Sequence, residues 1–251
     1  MLPEEAFLRR MPRAIDLEER LLMDGLVTSA DLAAFAFGRL RERLAQYEAG
    51  QGTGAPDRIK ILELAHFSWA IVDQIHNFRS TARRLSFPAS ERYEAFIKRT
   101  ADVTTMRNGM DHMFANTRNR AKKKKAGFLP YGHLSYVVPV GLGLAFNVIN
   151  LGSIQEESFI SPLVDTHQVP DEGICRISLA AFDQQIYLDE ILSSLEEIII
   201  EIDAFYEERI TEQIRAICRQ ENIDPEKVLA YRLPRLPHMK VMLPRWKERR
   251  G

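Results

Sequence analysis

The residues of this chain best suited to chemistry lie between Thr104 and Lys125, TTMRNGMDHMFANTRNRAKKKK. Arg107 offers a planar fork of N–H donors that suits an anionic oxygen. His112 can take or give a proton near neutral pH, because an unperturbed imidazole titrates at ~6.5. Asn108 adds a donor and an acceptor beside the arginine. On a helix, Asn108, His112, Asn116 and Asn119 stack along one edge, while Met106, Met110, Met113 and Phe114 form an apolar face. This spacing predicts one continuous helix over residues 104–122. Gly109 costs such a helix ~1 kcal/mol against Ala. Its use is to let a second helix or a ligand come close.

A basic run follows: Arg118, Arg120, Lys122, Lys123, Lys124 and Lys125, with no acid among them. It is either a solvated helix end that suits the negative pole of the helix dipole, or a nucleic-acid-binding patch that holds a polyanionic backbone. Other chemistries leave no trace in the sequence. There is no HExxH, no Ser-His-Asp spacing, no paired acidic metal motif, and no Lys-Ser/Thr after the Gly-rich GQGTGAP segment to complete a phosphate loop. The two cysteines, Cys175 and Cys218, form no CxxC or Cys/His cluster, so neither a disulfide framework nor a zinc site is expected. That usage fits a reducing cytoplasm.

The elements that must position these residues are read from periodicity. At 251 residues, 45% hydrophobic and 27% charged with net charge -1, the chain can bury a substantial core. Residues 1–25 are expected to hold a short helix on Ile15, Leu17, Leu21 and Leu22. Thr28, Ser29 and Asp31 then look like the cap of a new helix to about Tyr47, with Leu32, Phe35, Ala36, Leu40 and Leu44 at core spacing. A strong helix runs from about Asp57 to Leu85. Its apolar stripe includes Leu64, Val72, Ile75, Phe78 and Ala82, and a second, mostly polar stripe carries His66, Trp69, Asp73, His76, Asn77 and Ser80. That second stripe is either a solvated face with one anchoring Trp, or it turns Asp73, His76 or Asn77 toward the Arg107 helix. In the latter case a carboxylate would favour the charged arginine. Ser86 or Ser90 can cap the next helix, which is expected to run unbroken into the motif.

From Phe128 the texture changes. Two strands with a turn near residues 139–143 fit GHLSYVVPVGLGLAFNVINLG, and one more strand passing into a helix near Gln184 fits ICRISLAAFDQQIYL. His133 and His167 read as surface or turn residues. A long helix follows from about Gln185 to Gln220, whose charges from Asp189 to Glu208 are all acidic. Residues 231–251 hold three prolines and seven basic residues, with Trp246 among them. This tail is either a clamp on the surface or a base-stacking strip. Four segments result: 1–127 with the motif helix, a β-containing insertion 128–184, a long core helix 185–222 and a basic tail 223–251. The N-terminus lacks the apolar core of a signal peptide, and no run of ~18–20 apolar residues is evident. A soluble, cytoplasmic protein without a membrane partner is the expectation.

The string Arg107-Asn108-Gly109-Met110-Asp111-His112 resembles the signature of the HEPN superfamily: an arginine, a polar residue, a few others, then histidine. WAIVDQIHNFRSTARRL, Trp69 to Leu85, is similar to the polar-striped helix that precedes the motif helix in such domains. The resemblance covers roughly residues 30–125 and the helix near 186–220. It implies a mainly α-helical bundle of four to five helices, here with a small β insertion. It further implies a metal-independent endoribonuclease that needs no cofactor, acts as a toxin or phage-defence effector, and pairs as a homodimer. An antitoxin or defence partner protein would accompany it. His112 would be general base or acid for attack of a ribose 2′-OH on the adjacent phosphodiester, leaving a 2′,3′-cyclic phosphate. Arg107 would bind the non-bridging oxygens and Asn108 would fix the geometry. Asp73, read from the polar stripe of its own helix and not from the resemblance, would join the catalytic group by orienting it. The same superfamily contains non-catalytic modules. On that alternative, Arg107 and His112 knit a dimer interface and the basic segments bind a partner or nucleic acid without cutting.

Overall fold

The computed structural model describes residues 1–12, 15–50, 57–85, 87–113, 115, 118, 131–141, 143–152 and 173–230. The fold is mainly helical, with one four-stranded antiparallel sheet. Helix α1 spans Leu17–Ala49, α2 Arg58–Ala82, α3 Glu91–Arg99 and α4 Ala101–Asp111. After the sheet come α5, Leu188–Gln220, and the short α6, Pro225–Ala230.

Asp16 starts α1, accepting bonds from the N–H groups of Glu18 at 2.8 Å and Glu19 at 3.3 Å. The helix boundary expected at residues 28–31 is absent. Met23, Leu26 and Val27 are already buried, so the chain has no reason to leave the helix there. Asp31 instead accepts two 2.6 Å bonds from Arg9, and Ser29 is buried. The core-facing stripe also differs from the expected one. Ala33, Ala36, Leu40 and Leu44 are buried, whereas Leu32 and Phe35 are 46% and 64% exposed. By length and composition α1 is able to cross a membrane, although core helices pass the same test, and α1 packs along α2 and α5.

The amphipathic reading of α2 holds in detail. Asp57 caps it through the Ile59 N–H at 2.9 Å, and Leu64, Val72, Ile75, Phe78 and Ala82 are buried. Ser90 caps α3 by accepting from the Tyr93 N–H at 3.0 Å. The single helix expected from Ser90 through the motif is broken at Thr100. There the Thr100 hydroxyl donates to the Phe96 carbonyl at 2.6 Å. Arg79, 5% exposed, reaches across from α2 to donate to both the Thr100 hydroxyl and the Ile97 carbonyl. A buried guanidinium must place its donors somewhere. The Ile97 carbonyl, released at the end of α3, and the Thr100 hydroxyl take its Nη1, while its Nε has no partner among the described residues. This joint sets the direction of α4.

Strands β1 (His133–Val140), β2 (Gly143–Asn150), β3 (Cys175–Ala181) and β4 (Gln184–Tyr187) lie in the order β2-β1-β3-β4. The β1–β2 hairpin turns where its Gly and Pro residues predict. The helix expected near Gln184 begins only at Leu188, because Gln184 to Tyr187 pair with β3 instead. Two residues, Phe182 and Asp183, close the β3–β4 hairpin, and both have positive φ, 54° and 62°. Asn or Gly is the usual choice there, so the phenylalanine is present for what it touches. A bulge at Arg176 (φ 51°) offsets β3 from β1. The guanidinium is held by Glu190 and by the Tyr187 ring at 5.9 Å. His133, expected at the surface, is buried at the start of β1.

Helix α5 buries Leu195, Ile199, Ile202, Tyr206 and Ile210 along one side. It ends at Asn222, whose φ of 54° turns the chain so that the Ile223 N–H reaches the Cys218 carbonyl at 2.8 Å. Asp224 and Pro225 then start α6, with Asp224 accepting from the Glu226 N–H at 3.1 Å, a helix that the tail composition did not suggest.

Candidate active site

Helix α4 presents the motif, but it stops at Asp111. His112 is its C-cap, with φ -104° and ψ 26°, and its N–H still bonds the Asn108 carbonyl at 3.1 Å. Met113, Ala115 and Arg118 are helical again beyond this turn, so the continuous helix expected over residues 104–122 is interrupted at the histidine itself. Arg107 and Asn108 remain on α4. Asn108 and His112 are exposed, and Arg107 is half-buried. Met106 is buried as expected, while Met110 is only partly so.

Asp73 of α2 faces α4. Its carboxylate accepts from Arg107 Nε at 2.6 Å, and Asp111 holds Arg107 Nη1 from one turn further along α4. The guanidinium therefore sits between two carboxylates. The Asp111 hydrogen bond, against the opposing effect of burial and together with the Asp73 charge, raises the Arg107 pKa further. At Asp73 burial dominates and pushes the carboxyl up, with Arg107 pulling the other way. The pair thus favours the guanidinium strongly but only partly offsets the desolvation of its carboxylate.

His76, one turn from Asp73 on α2, completes the group. Burial first, then the charges of Arg107 and Arg79, holds its imidazole below the usual range, while Asp73 and Asp111 pull upward. Among the described residues its buried Nδ1 has no hydrogen-bond partner. A histidine with a lowered folded pKa binds fewer protons folded than unfolded. Stability therefore falls as pH drops through ~6.5 toward the folded value. In an NMR titration His76 should titrate below ~6.5. Its midpoint should rise in Arg107→Ala, since a neighbouring cation is gone. An unmoved midpoint would show that the two side chains do not interact in solution.

The space beside Gly109 is filled from within the chain. A β-carbon built at Gly109 would lie 2.6 Å from Phe182 Cγ and 2.8 and 2.9 Å from its two ring neighbours. Phe182 is buried and meets Trp69 edge-on, with ring centres 6.1 Å apart. Gly109 therefore seats the β3–β4 turn. The opening expected there for a second helix or a ligand is already occupied.

Between α2 and α4, next to Asp73, runs a groove of about 320 Å³ lined by Leu62, His66, Trp69, Met110 and Tyr131. The polar stripe on α2 was the sequence signal for its wall; that Tyr131 would close it had no signal. A second cleft of about 380 Å³ includes Arg41, Cys175 and Asp189 and shares no lining residue with the first. Burial pushes the Cys175 thiol up, so it is not an activated nucleophile. Among the described residues no group of three His, Cys, Asp or Glu side chains is placed to hold a metal ion, and both cysteines are free. Arg118 is exposed, whereas Arg120, Lys122 to Lys125, His167 and the 231–251 tail lie outside the described residues.

Comparison of this chain with protein families, with curated proteins and with solved structures finds no match.

Proposed function

We propose that this protein is a metal-independent endoribonuclease of the HEPN type, cutting RNA through attack of a 2′-OH on the neighbouring phosphodiester. The observation that carries this reading is the Arg107 guanidinium, held by Asp73 from the adjacent helix at 2.6 Å and followed within five residues by an exposed His112. Asp73 fixes Nε, so that the remaining donors can be aimed at a phosphate. Exposed at a helix end, His112 is free to approach the ribose hydroxyl as base or the leaving oxygen as acid. Asn108, exposed on the same helix, orients the phosphate from beside the arginine. The bundle of α1, α2, α4 and α5 is HEPN-like in this reading. The RNA substrate, a toxin or defence role in the cytoplasm, pairing as a homodimer and an accompanying antitoxin or defence partner belong to the same proposal. With Gly109 covered by Phe182, pairing would have to use the exposed edge of Asn108 and His112.

Asp111 is the obstacle to this reading. It occupies Arg107 Nη1, but its side chain is half exposed and an exposed pair of this kind is weak. Asp111→Ala should therefore tighten RNA binding roughly two- to fivefold, the size of such a pair with one repelling charge removed. Fluorescence anisotropy with a labelled oligoribonucleotide reads this directly. Weaker binding in the variant would mean that Asp111 supports the site and does not mask it.

A second reading, a non-catalytic interaction module, draws on that same masking, since an arginine satisfied by two carboxylates is also what a packing role requires. Purified protein incubated with total RNA and a chelator, wild type against His112→Ala, separates the two. Cleavage that depends on His112 supports the nuclease. Its absence in both leaves the module.

A further inference from the structure

We infer that the groove beside Asp73 is a subsite for one nucleobase of single-stranded RNA, and that it favours guanine over uracil. The inference rests on the ribonuclease reading for its substrate class and shares Asp73 with it, but its stacking surface is made of other residues. The indole of Trp69 is fixed at two points. Its N–H donates to the Tyr131 carbonyl at 3.1 Å, and its ring meets Phe182 edge-on. An indole immobilised in this way is a stacking platform that loses little freedom when a base arrives. Met110 and Leu62 give the groove apolar surface, and His66 and Tyr131 add flat rings. The volume of about 320 Å³ suits a single planar heterocycle better than a longer segment.

The polar end of the groove settles the orientation. Asp73 lines it and is at the same time the partner of Arg107. A nucleotide with its phosphate at Arg107 would thus place its own base, or the adjoining one, in the groove with an edge toward a carboxylate. A carboxylate only accepts hydrogen bonds. Guanine presents two neighbouring donors there, an imino and an amino group. Uracil presents one donor between two carbonyl oxygens, which the carboxylate repels. The preference follows from that difference in charge pattern.

The test uses trinucleotides carrying 2′-O-methyl groups, which cannot be cut by a 2′-OH mechanism, so binding is read apart from cleavage. Trp69 and Trp246 are the only tryptophans, and Trp246→Phe makes Trp69 the sole indole reporter in the full chain. Saturable quenching of Trp69 is expected, tighter for a central guanine than for a central uracil. Ala70, half-buried on α2, also lines the groove, and Ala70→Leu, added in this background, fills it from that wall while keeping Trp69. It should weaken binding by roughly tenfold, within the range for loss of one stacked base. Its unfolding midpoint serves as the control for folding. Trp69→Phe, which keeps a ring against Phe182 but removes the reporter, is read by anisotropy and should also bind more weakly than its parent.

Oligonucleotide binding by anisotropy without any change at Trp69, or Ala70→Leu binding like its parent, overturns the subsite. So does a groove found closed in a dimer that only Ala70→Leu separates. These results leave the ribonuclease reading standing if ordinary RNA is still cut. Quenching with guanine preference in a protein that cuts no RNA has the opposite meaning: the subsite is upheld and the cleavage chemistry is lost.

Discussion

Arg107→Ala and His112→Ala are each expected to reduce RNA cleavage to background in an assay that contains EDTA, with the fold intact. Loss of a general acid–base group typically costs ~10²–10⁴-fold in rate, and loss of a donor to the developing transition-state charge costs ~10²–10³-fold. The two variants should differ in what else they change. His112 is exposed at the end of α4 and makes no packing contribution to the core, so its removal should leave thermal stability within about 0.5 kcal/mol, as for other surface changes. Arg107→Ala leaves the half-buried Asp73 without its cation, while Asp111 is free to move into water. Asp73→Asn should therefore restore part of the stability lost in Arg107→Ala without restoring activity. A His112 variant that cuts like wild type, or activity that the chelator abolishes, ends the nuclease assignment.

Gly109 and Phe182 should show strong coupling in a double-mutant cycle read by chemical denaturation. Gly109→Ala gains ~1 kcal/mol of helix propensity but drives a methyl group into the Phe182 ring, and overpacking of this kind costs ~1–3 kcal/mol. The net effect in the wild-type background is destabilising or near zero. Phe182→Ala alone removes a buried aromatic side chain and should cost ~3–5 kcal/mol. In that background the methyl group meets no ring, and Gly109→Ala should become stabilising. The change of sign is the decisive feature, because neither helix propensity nor general loss of packing produces it. If Gly109→Ala has the same effect in both backgrounds, the ring does not sit on the glycine in solution. The contact would then have no part in fixing α4 against the sheet.

The sequence by itself determined what short-range physics controls. The apolar stripe of α2, the end of the long helix at Gln220, a serine cap ahead of α3, and the β1–β2 turn are each written within a few residues of where they occur. Their causes are periodicity, capping and backbone stereochemistry, and all of these act locally. It also brought Asp73 forward as a residue that could meet Arg107, because α2 carries a polar stripe as well as its apolar one. Only tertiary structure decided between that contact and a solvated face. The same holds for Asp31, which looked like a cap but binds Arg9, and for Thr100, where Arg79 of another helix breaks what reads as one long helix. Gly109 is the sharpest instance. A glycine in a helix announces that something comes close, and nothing in the neighbouring residues says that it is Phe182, from a hairpin far along the chain. Side chains meet across such distances only after the elements have packed. The choice among possible partners then depends on desolvation and shape, which a linear pattern does not carry.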